Sequence, residues 1–80
     1  MPAKKDILIR NKFQVRFGAH LRKVRQALKL TQVDLAKRSG IVRSNIARLE
    51  TGQKNPSLFI LSKLSTGMKI SVSRLLKGFK

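Results

Sequence analysis

Two arginines and a serine carry the most specific chemistry in this sequence. Arg43, Ser44 and Arg48 lie in a segment with the periodicity of a short helix, and positions 44 and 48 are one helical turn apart. They therefore share an exposed face, opposite the apolar Ile46 and Leu49. The forked guanidinium of arginine can donate to both acceptors of a guanine base, and it can also contact phosphates alone. This face predicts contact with nucleic acid, through the bases or through the backbone.

The charge of the chain points to the same class of partner. Its 80 residues include 19 lysines and arginines against 3 acidic residues, which gives a formal net charge of +16. A small domain needs a net charge of only about 2–8 to stay soluble, so solubility alone does not account for the excess. Such a field attracts polyanions and is screened by salt. Nucleic acid is therefore the leading class of partner.

Few residues could support catalysis or bind a metal. The sequence has no cysteine and one histidine, and its acids, Asp6, Asp34 and Glu50, lie in unrelated segments. A catalytic site needs a nucleophile, a base and an orienting group close together, and zinc is bound mainly by cysteine and histidine. We therefore expect a non-enzymatic protein without metal or cofactor. The sequence also shows neither a signal-peptide pattern nor a membrane-spanning apolar run, which predicts a cytoplasmic location.

The spacing of apolar residues predicts one compact all-α domain with five helices. Thr31 and Asp34 have the spacing of a capping box at the start of the second helix, and Gly40 is suited to the left-handed turn that ends it. We expect residues 1–10 to form a basic, weakly ordered arm ahead of a domain at 11–80. The predicted helices cover residues 12–28, 32–39, 43–51, 58–68 and 72–76.

From Phe17 to Leu76 the sequence resembles the lambda-repressor-like, or Cro-type, helix-turn-helix domains of bacterial and phage regulators. The resemblance rests on a series of short motifs at characteristic spacing. These motifs are Arg25, Leu30-Thr31-Gln32, Leu35-Ala36, Gly40-Ile41, Ile46-Ala47, Leu49-Glu50-x-Gly52 and Asn55-Pro56-Ser57-Leu58. The resemblance implies a five-helix fold whose third helix enters the major groove of double-stranded DNA.

The resemblance also implies roles for individual side chains. Arg43, Ser44 and Arg48 match positions that contact base edges. The positions expected to contact phosphates are Gln32, Asn45, Gln53, Lys54 and Asn55. Arg25 and Glu50 match a pair that forms an internal salt bridge, so Glu50 is expected to be structural.

Several apolar residues depart from the family pattern. Val42 stands where a capping serine or threonine is usual, and the lack of such a cap costs about 1 kcal/mol. A valine here could instead contact a thymine methyl group, which makes Val42 a further candidate for base contact. Phe59 and Ile60 stand where many relatives are polar, and Phe59, Ile60 and Phe79 are candidates for a dimer contact.

Taken together, these features predict a sequence-specific transcriptional regulator of the repressor or controller type. We expect a homodimer on a two-fold operator, with half-sites about 34 Å apart. Two alternatives stay open. One is an antitoxin-like module that binds a toxin-like protein partner through Phe59 or Phe79. The other is a non-specific polyanion-binding protein driven by charge alone.

Overall fold

The computed structural model describes residues 3–79, and within them it contains five α-helices and no β-strand. The helices are α1 (Lys4–Ala27), α2 (Gln32–Ser39), α3 (Arg43–Glu50), α4 (Leu58–Met68) and α5 (Val72–Leu75). Helix α1 packs against α3, α2 packs against both α3 and α4, and α5 closes against α4. The prediction of an all-α domain with five helices is confirmed.

Helix α1 is longer than the sequence predicts. It begins at Lys4, where the sequence predicts a weakly ordered arm over 1–10 and a helix only from residue 12. No glycine or proline interrupts residues 4–16, and Asp6 lies in the first turn, where the helix dipole favours an acid. The segment from Lys4 is therefore helical rather than an arm. Residues 1 and 2 lie outside the described residues.

Local hydrogen bonds fix both ends of α2. The Thr31 hydroxyl accepts a hydrogen bond from the Asp34 backbone N–H (3.0 Å), and the Asp34 carboxylate accepts one from the Thr31 N–H (2.9 Å). Gly40 ends the helix with a φ of 73°, a left-handed conformation that glycine adopts without strain. Helix α2 thus has its predicted bounds, while α3 ends at Glu50 and α5 at Leu75, each one residue before its predicted end.

The capping box predicts a pH dependence of stability. Hydrogen bonds from the backbone and side chain of Thr31 lower the pKa of Asp34 below its usual 3.8. The resulting stabilisation is present above the unfolded pKa and is lost as the pH falls through the lower, folded pKa. We expect Asp34→Asn to be less stable than the parent protein at pH 7, and the difference to shrink towards zero by about pH 2. Urea unfolding across this range measures it, and a pH-independent difference would contradict the prediction.

The core draws side chains from all five helices, and this fixes which side of α3 faces outward. The largest fully buried side chains are Phe17, Leu21, Leu35, Ile46, Leu49, Leu64 and Leu75. Since Ile46 and Leu49 of α3 point into this core, the opposite side of α3 is left at the surface. In the described part of the chain, no buried side-chain nitrogen or oxygen lacks a hydrogen-bond partner.

Phe79, one of the three candidates for a dimer contact, packs against the core. Its ring meets Phe13 and Phe17 edge-on, with centroid distances of 5.5 and 5.9 Å, and the residue is half-buried. Edge-to-face aromatic pairs of this kind stabilise a fold. Ile60 is also half-buried against the core, whereas Phe59 is 70% exposed. Of the three candidates for a dimer contact, only Phe59 is mostly exposed to solvent.

Gly18 allows α1 to lie directly on the end of α3. A Cβ atom at position 18 would lie 2.5 Å from the carbonyl oxygen of Glu50 and would also meet that of Leu49, whereas real Cβ contacts essentially never fall below 3.0 Å. Both neighbours are backbone atoms, so neither can move aside without moving the helix. The close approach brings the next two turns of α1, which carry Arg25, alongside Glu50.

Gly18→Ala is expected to destabilise the protein, although helix propensity alone favours alanine by about 1 kcal/mol. The added methyl group must push two helices apart, and overpacking of this kind costs about 1–3 kcal/mol. Urea unfolding measures the change. Asn11→Ala, at an exposed position of the same helix, is the matched control and should gain a few tenths of a kcal/mol. A stabilised Gly18→Ala variant would argue against the close approach.

Candidate nucleic-acid interface

The turn between α2 and α3 sets the orientation of the surface side of α3. Only Gly40, Ile41 and Val42 separate the two helices. Ile41 is buried beneath the turn, and Leu35 of α2 and Ile46 of α3 are both fully buried. The two helices therefore form one rigid unit, and side chains on the outer side of α3 have a fixed direction.

The structure places the predicted base-contacting residues of α3 on this outer side. Arg43, Ser44 and Arg48 are exposed, and Asn45 is half-buried beside them. Val42 lies at the N-terminal end of the helix without a side-chain capping hydrogen bond and is 66% exposed. We call the surface formed by Val42, Arg43, Ser44 and Arg48 the α3 face. Its chemistry combines two guanidinium forks, a hydroxyl and one methyl-bearing side chain.

A buried ion pair holds the far end of α3 against α1. Arg25 Nε donates to Glu50 Oε2 (2.6 Å), and Arg25 Nη2 donates to Glu50 Oε1 (2.9 Å). The two side chains are only 9% and 3% exposed. The hydrogen bond with Glu50 raises the pKa of the Arg25 guanidinium above its ordinary value, in opposition to burial, which lowers it. Arg25 Nη1 also donates to the Leu30 carbonyl (2.8 Å), so the pair joins α1, α3 and the segment before α2.

Gln32 extends this network to the first turn of α2. Its Nε2 donates to Glu50 Oε1 at 3.1 Å. An amide nitrogen has two hydrogens, and the second remains available to an acceptor outside the protein. Gln32 is half-buried at a helix N-terminus, where unpaired backbone N–H groups and the helix dipole favour an anion. The position therefore suits a phosphate, with Glu50 fixing the orientation of the amide.

The loop after α3 is anchored to α1. Gln14 Nε2 donates to the Gly52 carbonyl (3.1 Å). Gly52 has a φ of 78°, and a Cβ atom there would lie 2.7 Å from a methyl carbon of Val15. Glycine is required at this position for both reasons. The segment Gln53-Lys54-Asn55 follows directly, with Gln53 and Asn55 exposed and Lys54 half-buried.

Gln14 is the functional residue that the sequence analysis overlooks. It is buried and fixes the start of the loop that carries three of the expected phosphate contacts. A signal was present, because Gln14 lies four and seven residues before the buried Gly18 and Leu21, and so on the same face of α1. A polar side chain on a packed helix face usually has a hydrogen-bond partner.

Neither a metal site nor a membrane-spanning segment is found in residues 3–79. No group of three histidine, cysteine, aspartate or glutamate side chains could hold a metal ion. None of the helices combines the length and the apolar character needed to cross a membrane.

A family model described as Helix-turn-helix matches residues 21–75. The matched stretch runs from the last two turns of α1 to the end of α5, and it includes the α2–α3 unit and the whole α3 face. The chain belongs to the helix-turn-helix family. The family resemblance predicted from the sequence is thereby confirmed.

This helix-turn-helix chain is similar to several named regulators. It is 35% identical over 66 residues to the control protein C.MunI of Mycoplasma sp, covering 81% of this chain and 89% of that protein. It is 36% identical over 58 residues to the immunity repressor of Bacillus phage phi105, covering 72% of this chain. The chain spans only 40% of that repressor's length.

Solved structures show the same helix-turn-helix fold. The restriction-modification controller protein C.AhdI from Aeromonas hydrophila has a TM-score of 0.73 and 42% identity, over 78% of this chain and 94% of that one. The clp gene regulator ClgR from C. glutamicum has a TM-score of 0.74 and 28% identity, over 81% of this chain and 84% of that one. The similarity to C.AhdI therefore extends over nearly the full length of that controller.

Proposed function

We propose that this helix-turn-helix protein is a DNA-binding transcription regulator that acts as a homodimer on a two-fold operator. Its relatives are named as repressor and controller proteins. Like them, this protein is a regulator, and it is not an enzyme. Its expected place is the cytoplasm, together with the DNA. The single observation that carries the proposal is the α3 face, because rigid packing presents Arg43, Ser44 and Arg48 outward together.

The α3 face has the chemistry needed to distinguish base pairs. Each arginine fork can donate to the O6 and N7 atoms of a guanine in the major groove, a contact that contributes about 1–3 kcal/mol of discrimination. The Ser44 hydroxyl can donate or accept. Val42 presents methyl groups at the N-terminal end of α3, where they can contact the methyl group of a thymine. Ala47, between the two arginines in the sequence, is small enough to let the helix lie deep in the groove.

Four of the five proposed phosphate contacts lie at the two ends of the α2–α3 unit. Gln32 lies at the start of α2, and the Gln53-Lys54-Asn55 loop follows α3. Asn45 is half-buried in the first turn of α3. Such contacts fix the register of a protein on the duplex without reading its sequence. Because Glu50 binds Gln32 and Gln14 binds the start of the loop, both anchors have a fixed position relative to the α3 face.

A homodimer needs a self-complementary surface, and we place it at the start of α4. Leu58 and Phe59 are 77% and 70% exposed there and are adjacent in the sequence. The Lys63 ammonium nitrogen lies over the Phe59 ring, 5.3 Å from its centroid, which is the geometry of a cation–π contact. Two apolar residues at one helix end suit an isologous contact.

Phe59→Ser is expected to weaken dimerisation by about tenfold or more, because a buried phenylalanine contributes roughly 1.5–3 kcal/mol of transfer free energy. Sedimentation equilibrium measures the dimer dissociation constant. Leu8→Ser removes an apolar side chain of similar exposure from α1 and is the matched control, with no change expected. If Leu8→Ser weakens the dimer and Phe59→Ser does not, the interface lies on α1 and not on α4.

The decisive experiment is selection of bound duplexes from a random DNA pool at about 150 mM salt, where non-specific electrostatic binding is already weakened. We expect a consensus with two-fold symmetry and half-sites one helical turn apart. Enrichment without any consensus would favour the non-specific polyanion binder, and a consensus without symmetry would contradict the homodimer. None of the relatives described above is named as an antitoxin, and we do not propose a toxin-like partner.

A further inference from the structure

A groove of about 300 Å³ lies between the second half of α1 and α5, on residues that none of the proposed DNA contacts includes. Its floor is apolar and consists of Val24, Ala27, Leu28 and Ile70. Its rim is basic and consists of Lys23 on one side and Arg74 and Lys77 on the other. We call this feature the α1–α5 groove.

The floor of the α1–α5 groove follows one stripe of α1. His20, Val24 and Leu28 are spaced four residues apart, so they lie along one face of the helix over about 12 Å. Leu28 is 38% exposed, although its neighbours in the stripe belong to the packed side of the helix. The stripe therefore continues beyond the core, with Val24 half-buried and Leu28 partly open to solvent at its end.

A direct contact joins the two walls of the groove. His20 Nε2 lies 2.6 Å from the Leu75 carbonyl oxygen, and the His20 ring also packs against Phe79 with a centroid distance of 5.4 Å. These contacts fix α5 and the following turn relative to α1. A preformed groove reduces the entropy that a ligand must lose on binding.

The charges of the groove argue against a second copy of this chain as its occupant. The chain has only three acidic residues. Glu50 is buried in its pair with Arg25, and Asp34 is engaged in the capping box, which leaves Asp6, in the first turn of α1, as the one exposed acid. A second copy could therefore offer little acidic surface to the three basic rim residues, and the two copies would bring like charges together. Like charges across an interface oppose association.

We propose that the α1–α5 groove binds an acidic amphipathic helix of a partner protein. Such a helix would place its apolar stripe on the floor of Val24, Leu28 and Ile70, in the manner of a helix in a groove. Its flanking aspartates or glutamates would face Lys23 on one side and Arg74 and Lys77 on the other. The phosphates of a nucleic acid could contact the basic rim, but they would not contact the apolar floor favourably. This proposal does not depend on the DNA-binding assignment, because the two surfaces share no residue.

The test uses a fluorescein-labelled, 16-residue helical peptide with leucines along one stripe and glutamates on both sides of it. A peptide of the same composition in scrambled order has the same charge but no apolar stripe. Fluorescence anisotropy at about 150 mM salt should show at least tenfold tighter binding of the amphipathic peptide to the full chain. Equal affinity for the two peptides would overturn the proposal, because charge alone would then explain the binding.

Two variants separate the groove from the general charge of the protein. Lys23→Gln/Arg74→Gln/Lys77→Gln should weaken peptide binding by about tenfold or more, whereas Lys4→Gln/Lys5→Gln/Arg10→Gln, which removes the same charge from α1, should change it less than about twofold. Leu28→Ser should weaken the peptide by about tenfold and leave affinity for random duplex DNA unchanged. Equal effects of the two triple variants would overturn the proposal.

Nuclear magnetic resonance on the unmodified protein gives an answer that does not depend on any variant folding. Addition of the amphipathic peptide should shift the amide signals of residues 20–28 and 70–78. A shift of residues 42–48 instead would show that the peptide binds the α3 face as a mimic of DNA, and would contradict the assignment of the groove. The peptide should also remain bound when duplex DNA is added, and its displacement would count against a separate site.

Discussion

Glu50→Gln is expected to lower the free energy of unfolding by about 3–5 kcal/mol, because it leaves the buried Arg25 guanidinium without a charged partner. Small domains have a total stability of only about 5–15 kcal/mol, so the loss is a large fraction of the whole. Both oxygens of Glu50 are engaged, Oε2 by Arg25 and Oε1 by Arg25 and Gln32. The substitution keeps the size of the side chain, and the loss therefore reports on charge and hydrogen bonding.

Urea unfolding at low and high salt measures this loss. The substitution also raises the net charge of the chain by one unit, but salt screens that general repulsion and leaves a buried pair nearly untouched. The loss should therefore persist at high salt. Asp6→Asn, which removes the charge of an exposed acid, is the matched control, with an expected effect within about 0.5 kcal/mol.

A double variant separates the pair from the packing around it. Arg25→Met/Glu50→Leu replaces both charges by apolar side chains, and replacement of a whole buried pair is often close to neutral. We expect it to recover most of the stability that Glu50→Gln loses, less the contacts of Arg25 with Leu30 and of Glu50 with Gln32. A double variant no more stable than Glu50→Gln would mean that the unpaired charge is not the cause.

Sequence reasoning succeeds here where the structural signal is local. The bounds of α2 and α4 agree with those predicted, because each begins at a capping side chain that hydrogen-bonds three residues ahead, Thr31 in one case and Ser57 in the other. The end of α2 depends on Gly40 alone. All of these interactions lie within one turn of chain, so a single stretch of sequence contains the whole cause.

The features that could not be predicted depend on contacts between distant segments. Which rings Phe79 meets, those of Phe13 and Phe17, depends on where the chain returns after α5. The bond from Gln14 to Gly52 spans 38 positions. The start of α1 shows a different difficulty, because residues 8–12 are exposed all round. Such a segment has no apolar periodicity towards a core, and periodicity is the main signal for a helix.

The candidate site also combines local features, which the sequence predicts, with contacts between distant segments, which it does not. The exposure of Arg43, Ser44 and Arg48 follows from the position of Ile46 and Leu49 on the opposite side of one short helix. The orientation of Gln32 cannot be predicted from its local sequence, because Glu50, at the far end of α3, fixes it. The sequence therefore predicts which side chains of α3 are exposed, whereas their fixed position follows from the ion pair and the loop anchor.

Arg48→Ala is expected to remove about 1–3 kcal/mol of discrimination at one base pair, or roughly 5- to 150-fold in relative affinity. Binding to the selected duplex and to duplexes with single substitutions measures it, by anisotropy at a fixed salt concentration. The loss should be confined to one position of each half-site, because an arginine fork pairs with one guanine. The affinity for random DNA should change little, because the variant loses only one positive charge.

Lys54→Ala is the counterpart, since the proposed contact of Lys54 is with a phosphate. It should weaken binding to all duplexes by the same factor and reduce the slope of log affinity against log salt by about 1. Arg10→Ala removes a charge from the exposed start of α1 and shows how much of either effect is due to net charge. If Arg48→Ala and Lys54→Ala both weaken cognate and random DNA alike, Arg48 contacts only the backbone, and specificity must come from Arg43, Ser44 and Val42.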